Sequence, residues 1–226
     1  MKVGVVIFPG SNCDYDAYQA VKMLDGVDSV YLWHGSEDFE NCDAVILPGG
    51  FSYGDYLRSG AIARFSPIMK KVIDFANNGG NVLGICNGFQ ILVESGLLPG
   101  ALMKNSSLRF AFKDVILRVE NSSTSFTQNL KIGDLMTMPI AHGDGNFYAD
   151  PDTITKIESN NQVIFRYVDD KGVVTAESNP NGSINGIAGI SNEAGNVVGM
   201  MPHPERACEL LLGSSDGEGI FKSLCS

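Results

Sequence analysis

The chain has 226 residues, and its 16 Lys+Arg against 26 Asp+Glu leave a formal net charge of −10. That length fits one large α/β domain or two small ones, and 44% hydrophobic with 19% charged residues can bury a sizeable core, which excludes a disordered chain. The acidic balance argues against a nucleic-acid binder, which needs clustered Lys and Arg, and no stretch approaches the roughly 20 apolar residues of a membrane span.

Residues 2–8 (KVGVVIF) are a β-branched run stopped by Pro9-Gly10, a strand rather than a leader peptide, so nothing points to secretion. Residues 15–24 read as a helix, with Ala17, Val21 and Leu24 near helical spacing. Residues 29–33 (SVYLW) and Ala44–Leu47 read as short strands, the second closed by Pro48-Gly49-Gly50. From 61 to 76, Ile62, Phe65, Met69, Val72 and Ala76 keep a three-or-four spacing and predict one helix, stopped by Asn77-Asn78-Gly79-Gly80. Asn81–Ile85 is a further strand, followed by a helical stretch through Leu92. This alternation predicts an α/β fold with a mostly parallel central sheet and helices on both faces. The second half is more β-rich: residues 114–119, 136–140, 163–167 and Val197–Met200 are strand candidates between turn clusters. A final helix is expected from about 204 to 224. With no repeat and no linker, residues 1–226 are expected to form a single domain.

The five cysteines, Cys13, Cys42, Cys86, Cys208 and Cys225, are odd in number and widely spaced without a CxxC pair. They make a poor disulfide framework and a poor zinc site, so reduced thiols, a cytoplasmic location and no metal site are expected. Most free cysteines are small buried hydrophobes. Cys86 stands apart, because Gly84-Ile85-Cys86-Asn87-Gly88 lies where a buried strand passes to a helix. Small residues two places either side allow the sharp bend of a nucleophile elbow, and the helix N-terminus favours the thiolate form. A buried structural cysteine fits that pattern alone equally well.

A thiolate nucleophile needs a base, and the base needs orienting. Of three histidines, His34 has no acidic neighbour at a useful offset, and His142 lies in a glycine-bordered loop. His203 sits in Pro202-His203-Pro204-Glu205, where proline on each side favours an extended segment. Residues two apart in an extended chain project to one side, so Glu205 can orient the imidazole as an aspartate does in a hydrolase triad. Taken alone, His-Pro-Glu is more readily a solvated surface turn.

Gly84-x-Cys86-x-Gly88-x-Gln90 together with His203-x-Glu205 resembles the class I, triad-type glutamine amidotransferase family. Segments 8–14 (FPGSNCD), 47–60 (LPGGFSYGDYLRSG), 84–92 (GICNGFQIL), 117–121 (LRVEN), 139–147 (PIAHGDGNF) and 199–206 (GMMPHPER) carry the likeness in the expected order. The resemblance implies a flavodoxin-like three-layer fold with Cys86 as nucleophile, His203 as general base and acid, and Glu205 as its partner. It implies an oxyanion hole from the N–H groups of Gly50 and Asn87, and glutamine contacts at Gly49, Phe51, Gln90, His142, Gly143 and Asp144. Asp144 replaces the glutamate of many relatives, which changes reach and keeps charge. Tyr53, Asp55 and Arg58 read as a partner-facing or substrate-proximal loop, or as a solvated turn. Neither GxxxxGK[ST] nor GxGxxG occurs, so no cofactor is expected in this chain. The resemblance then implies a separate large synthetase subunit using ATP and magnesium, a small third subunit, and no nucleic-acid or membrane partner. Other readings stay open: glutaminase chemistry serving another acceptor, a Cys-dependent γ-glutamyl hydrolase or peptidase, or a non-catalytic domain with an oxidation-sensing cysteine.

Overall fold

A computed structural model describes residues 1–225. Its elements in chain order are β1 (Lys2–Ile7), α1 (Asp14–Lys22), β2 (Asp28–Trp33), β3 (Ala44–Leu47), α2 (Pro67–Asn77), β4 (Asn81–Ile85), α3 (Asn87–Glu94), β5 (Ala101–Met103), β6 (Ala111–Val119), β7 (Leu135–His142), β8 (Asn146–Tyr148), α4 (Pro151–Ser159), β9 (Val163–Val168), β10 (Ile187–Ser191), β11 (Val197–Met200) and α5 (Glu218–Ser223). Among the described residues, nine strands join in one sheet ordered β2-β1-β3-β4-β11-β10-β9-β6-β7, with β5 and β8 forming a separate pair. Strands β2, β1, β3, β4 and β11 run parallel, and β10, β9, β6 and β7 continue antiparallel.

The parallel half is apolar along nearly its whole length because both faces are covered. Val3, Val5 and Val6 of β1, all of β3, and Val82, Leu83 and Ile85 of β4 are fully buried. The chain moves one way from β1 through α1 to β2 and the other way from β3 through α2 to β4. Right-handed crossovers in opposite directions set α1 and α2 on opposite faces. Leu47 pairs with Gly84 and Met200 with Ile85, so β3, β4 and β11 end together at one sheet edge. Segments leaving that edge meet, which is where α/β folds place their ligands.

Two predicted helices are corrected. The helix expected over 61–76 begins only at Pro67, because Pro67 has no N–H for an earlier turn and Ser66 is held extended before it (φ −62°, ψ 142°). A separate 3-10 turn, Ala63–Phe65, precedes it. The helix expected over 204–224 is broken into 3-10 turns at Pro204–Arg206 and Leu210–Leu212, followed by α5. Gly213 takes φ +105°, a conformation that ends the second turn.

Candidate active site

Cys86 links β4 to α3 with φ +50° and ψ −104°, a sparsely populated conformation that surrounding bonds must enforce. Its N–H donates to the Met200 carbonyl at 2.7 Å, and its carbonyl accepts the Gln90 N–H at 3.2 Å. The bordering glycines have a packing reason. A Cβ on Gly88 would run into the Leu47 carbonyl, and one on Gly84 would lie 2.7 Å from the Gly88 carbonyl and 2.5 Å from the Leu92 side chain. Helix α3 thus rests directly on β3 and β4, and the elbow thiol is buried at the strand ends.

His203 reaches the same place from β11. The segment is not extended throughout as expected, since 204–206 closes into a 3-10 turn. The turn still brings the Glu205 carboxylate to the ring: His203 Nδ1 and Glu205 Oε1 are 2.6 Å apart, with both residues buried. Burial alone pushes the His203 imidazole down; the charges of Glu205 and Cys86 outweigh it and hold the ring well above its ordinary pKa. The thiols of Cys86 and Cys13 both act on the ring, although Nε2 makes no aligned hydrogen bond and is buried. Gly49 leaves room for this imidazole, since a Cβ there would lie 2.7 Å from Cε1. The His203 N–H donates to the Pro139 carbonyl at 2.9 Å, and the Cys86 sulfur faces the Ala141 carbonyl at 3.7 Å. Strand β7, last in hydrogen-bond order, therefore returns to the catalytic edge.

Gly50 takes φ +140°, and a Cβ there would press on the backbone of Ser11 and Asn12. Asn87 opens α3, so its N–H is among the four at the helix start without an intrahelical acceptor. Phe51 gives its N–H to the Gly10 carbonyl. Gln90 is buried with both ends of its amide engaged: Nε2 donates to the Asp144 carbonyl at 2.7 Å and Oε1 accepts from Asn87 Nδ2 at 2.8 Å. Cys86, Gln90, Gly50, Phe51, His142, Gly143 and Asp144, with Asp55 and Ser59, line a cavity of about 20 Å³, room for about one water. A neighbouring cavity of about 190 Å³ shares Gly50, Phe51 and Ala141 and extends past His203 to Cys13 and Arg206. A larger groove, about 530 Å³, lies behind Glu205 between α1 and the β6–β7 hairpin and does not include Cys86.

His142 is no rival base. Its Nδ1 faces Asn105 Oδ1 at 3.1 Å, with no carboxylate partner, and burial followed by the His203 charge pushes its pKa down to about 4. His34 is turned to Tyr53, whose hydroxyl lies 2.7 Å from Nδ1 and 2.9 Å from Ser66 Oγ. Arg58 pairs with Glu94 on α3. Burial holds the thiols of Cys42 and Cys208 up at about 11 and about 12, so neither is a nucleophile at neutral pH.

Sequence reasoning missed Asn105, Cys13 and Arg206. Asn105 carried no motif, yet it is fully buried and fastens the 142–145 loop, donating to the His142 carbonyl and accepting the Gly145 N–H. Cys13 was legible as the second thiol within a matching segment; its sulfur accepts a hydrogen bond from Arg206 Nη2 at 3.2 Å. Cys13, His203 and Glu205 bring a sulfur, a ring nitrogen and a carboxylate oxygen within 4.8 Å of one another, a donor set that suits zinc. The His203–Glu205 hydrogen bond already engages two of those three groups.

A family described as the CobB/CobQ-like glutamine amidotransferase domain matches residues 1–218. The phosphoribosylformylglycinamidine synthase subunit PurQ of Chlorobaculum tepidum is 61% identical over 98% of this chain and 95% of its own length. The protein of the same name from Salinibacter ruber is 59% identical over 99% of this chain and 95% of its own. Among solved structures, a chain of PurLQS from Thermotoga maritima superposes with a TM-score of 0.87 at 45% identity, over 99% of this chain and 97% of that one.

Proposed function

The chain belongs to the CobB/CobQ-like glutamine amidotransferase family, and from that premise we infer that it is the glutaminase subunit of a phosphoribosylformylglycinamidine synthase, acting in purine biosynthesis. It hydrolyses glutamine to glutamate and ammonia. The ammonia passes to a separate large synthetase subunit, which converts formylglycinamide ribonucleotide to formylglycinamidine ribonucleotide, with a small third subunit in the same complex. In this reading ATP and magnesium belong to the synthetase, and this chain holds no cofactor. Free thiols at all five cysteines suit the reducing cytoplasm, where the complex is placed. No helix among the described residues is long and apolar enough to cross a membrane.

The chemistry follows from the convergence of Cys86, His203 and Glu205, the observation that carries the reading. The Cys86 thiol passes its proton to His203, and the sulfur attacks the side-chain carbonyl carbon of glutamine. Negative charge builds on the carbonyl oxygen and is met by the N–H groups of Gly50 and Asn87, donors worth roughly 3–4 kcal/mol each in such sites. His203 gives its proton to the amide nitrogen, ammonia leaves, and a γ-glutamyl thioester remains on Cys86. The imidazole then takes a proton from water, whose oxygen attacks the thioester; glutamate departs as the sulfur recovers its proton. Glu205 holds the ring in the tautomer both steps require. Gly49, Phe51, Gln90 and the His142-Gly143-Asp144 loop shape the glutamine pocket. Mass spectrometry of the folded protein with glutamine, with and without the synthetase, should find the γ-glutamyl adduct on Cys86 and none on Cys86→Ala. Absence of the adduct under both conditions would sink the reading.

A further inference from the structure

Helix α1 opens without a side-chain cap. Cys13 holds its N-cap position and makes no side-chain bond to the first turn, where Ser, Thr, Asp or Asn would accept a free N–H. The buried thiol is engaged elsewhere. It donates to Asn12 Oδ1 at 3.4 Å, and its sulfur accepts from Arg206 Nη2 at 3.2 Å. The sulfur, a His203 ring nitrogen and a Glu205 oxygen all lie within 4.8 Å of one another.

Both partners of the Arg206–Cys13 bond are anchored. Arg206 Nε donates to Asp16 Oδ2 at 3.0 Å, in the first turn of α1, and shares the 3-10 turn of Glu205. The Cys13 N–H donates to the Gly49 carbonyl at 3.3 Å. That carbonyl belongs to the same planar peptide as the Gly50 N–H, one of the two oxyanion donors. Gly49 also brings sulfur and ring together: a Cβ there would lie 2.7 Å from His203 Cε1 and 3.2 Å from the Cys13 sulfur. Cys13, His203 and Arg206 line one cavity. The Nδ1 bond to Glu205 fixes one corner of the imidazole, and a ring held at one atom can still tilt about that bond. The sulfur supplies a second constraint, and Arg206 keeps it from turning away.

We propose that Cys13, held by Arg206, is a positioning residue that fixes the tilt of the His203 ring for proton transfer with Cys86 and the leaving amide. The proposal rests on the glutaminase reading and concerns the chemical step rather than glutamine binding. It also accounts for a helix start whose side chain caps nothing. The titratable and charged groups around the ring are Glu205 and Arg206 on its own turn, Cys86 before α3, Cys13 before α1 and His142 at the end of β7. Burial pushes the ring's pKa down, while Glu205, Cys86 and Cys13 hold it up.

The test follows the γ-glutamyl adduct on Cys86 by quenched flow, in the complex with the synthetase subunits. Cys13→Ala removes the sulfur and keeps the backbone bond to Gly49; Arg206→Gln removes the charged donor. Each should slow adduct formation about tenfold, with the glutamine concentration for half-maximal rate within about twofold of wild type. The double variant should be about as slow as the slower single one, because the pair acts as a unit. Arg206→Lys should recover part of the rate. In Cys13→Ala the alkaline limb of the rate should move to lower pH, since the ring holds its proton less firmly. A rate within about twofold of wild type in both single variants overturns the proposal. So does an alkaline limb that stays in place, a loss carried by the half-maximal concentration, or two losses that multiply in the double variant. If Cys13→Ala does not fold, the Arg206 variants decide, and equal rates in Gln and Lys overturn the proposal. If wild type forms no adduct, the glutaminase reading itself fails.

Discussion

Residues His142 and His203 show how partners assign opposite roles to two imidazoles that are both buried. His203 gains a carboxylate and keeps its proton, whereas His142 gains only an amide oxygen and is pushed to about 4. For a histidine whose folded pKa lies below its unfolded value of about 6.5, the unfolded chain binds more protons between those limits, so stability falls as pH drops through that window. Between pH 7 and pH 5 this one group should cost about 2 kcal/mol. His203 has the opposite sign: its contribution is full below about 6.5 and is lost as pH rises through its raised folded pKa. His142→Asn leaves that term in place and keeps a donor toward Asn105, so subtracting the two stability curves isolates His142. Urea unfolding at pH 7 and pH 5 should show wild type losing more stability than the variant; parallel losses would contradict the assignment.

Among the elements, α3 depends on contact with no side chain between helix and strand. A methyl at position 88 meets a backbone carbonyl, which cannot rotate away. Gly88→Ala should therefore cost about 3 kcal/mol or prevent folding, and a thermal midpoint matching wild type would refute the packing account. The same element was readable in advance because Gly84, Cys86, Gly88 and Gln90 sit within seven residues, and short-range spacing dictates their geometry. Helix α4 carried local signals too. Asp150 caps it by accepting the N–H groups of Asp152 and Thr153, Pro151 starts it, and Ile154 and Ile157 face inward, yet its turn-rich surroundings concealed it. The 204–224 stretch misled in the other direction, because leucines 210–212 are strong helix formers but are exposed, and Gly213 and Gly217 divide them from α5. Position 217 has no room for a side chain against the Pro204 carbonyl. The triad was legible from two local motifs; Asn105 was not, since it meets the 142–145 loop across 37 residues of sequence.

At the scale of the whole molecule, the catalytic edge is assembled but closed. The space beside Cys86 is a cavity of about 20 Å³ that adjoins one of about 190 Å³ running past His203, and the 51–60 loop walls both through Phe51. That loop holds Tyr53, Asp55 and Leu57 at positive φ, a costly backbone conformation for side chains of this size. It exposes Tyr56 and Leu57 to solvent and is tied to α3 through Arg58 and Glu94. Docking of the synthetase on this face would shift the loop toward its open form. Steady-state assays should then show glutaminase kcat/KM rising about tenfold or more when the synthetase subunits are added; full activity in the isolated chain would contradict this. The strand order has a consequence for synthesis of the protein. Strand β11, residues 197–200, lies between β4 and β10, so the strand that presents the nucleophile keeps an open edge until residues 197–200 have left the ribosome. Such an edge can pair with other chains. A nascent chain therefore carries the thiol without its histidine and consumes no glutamine, and its period of greatest vulnerability to aggregation ends with the arrival of the segment that also brings His203.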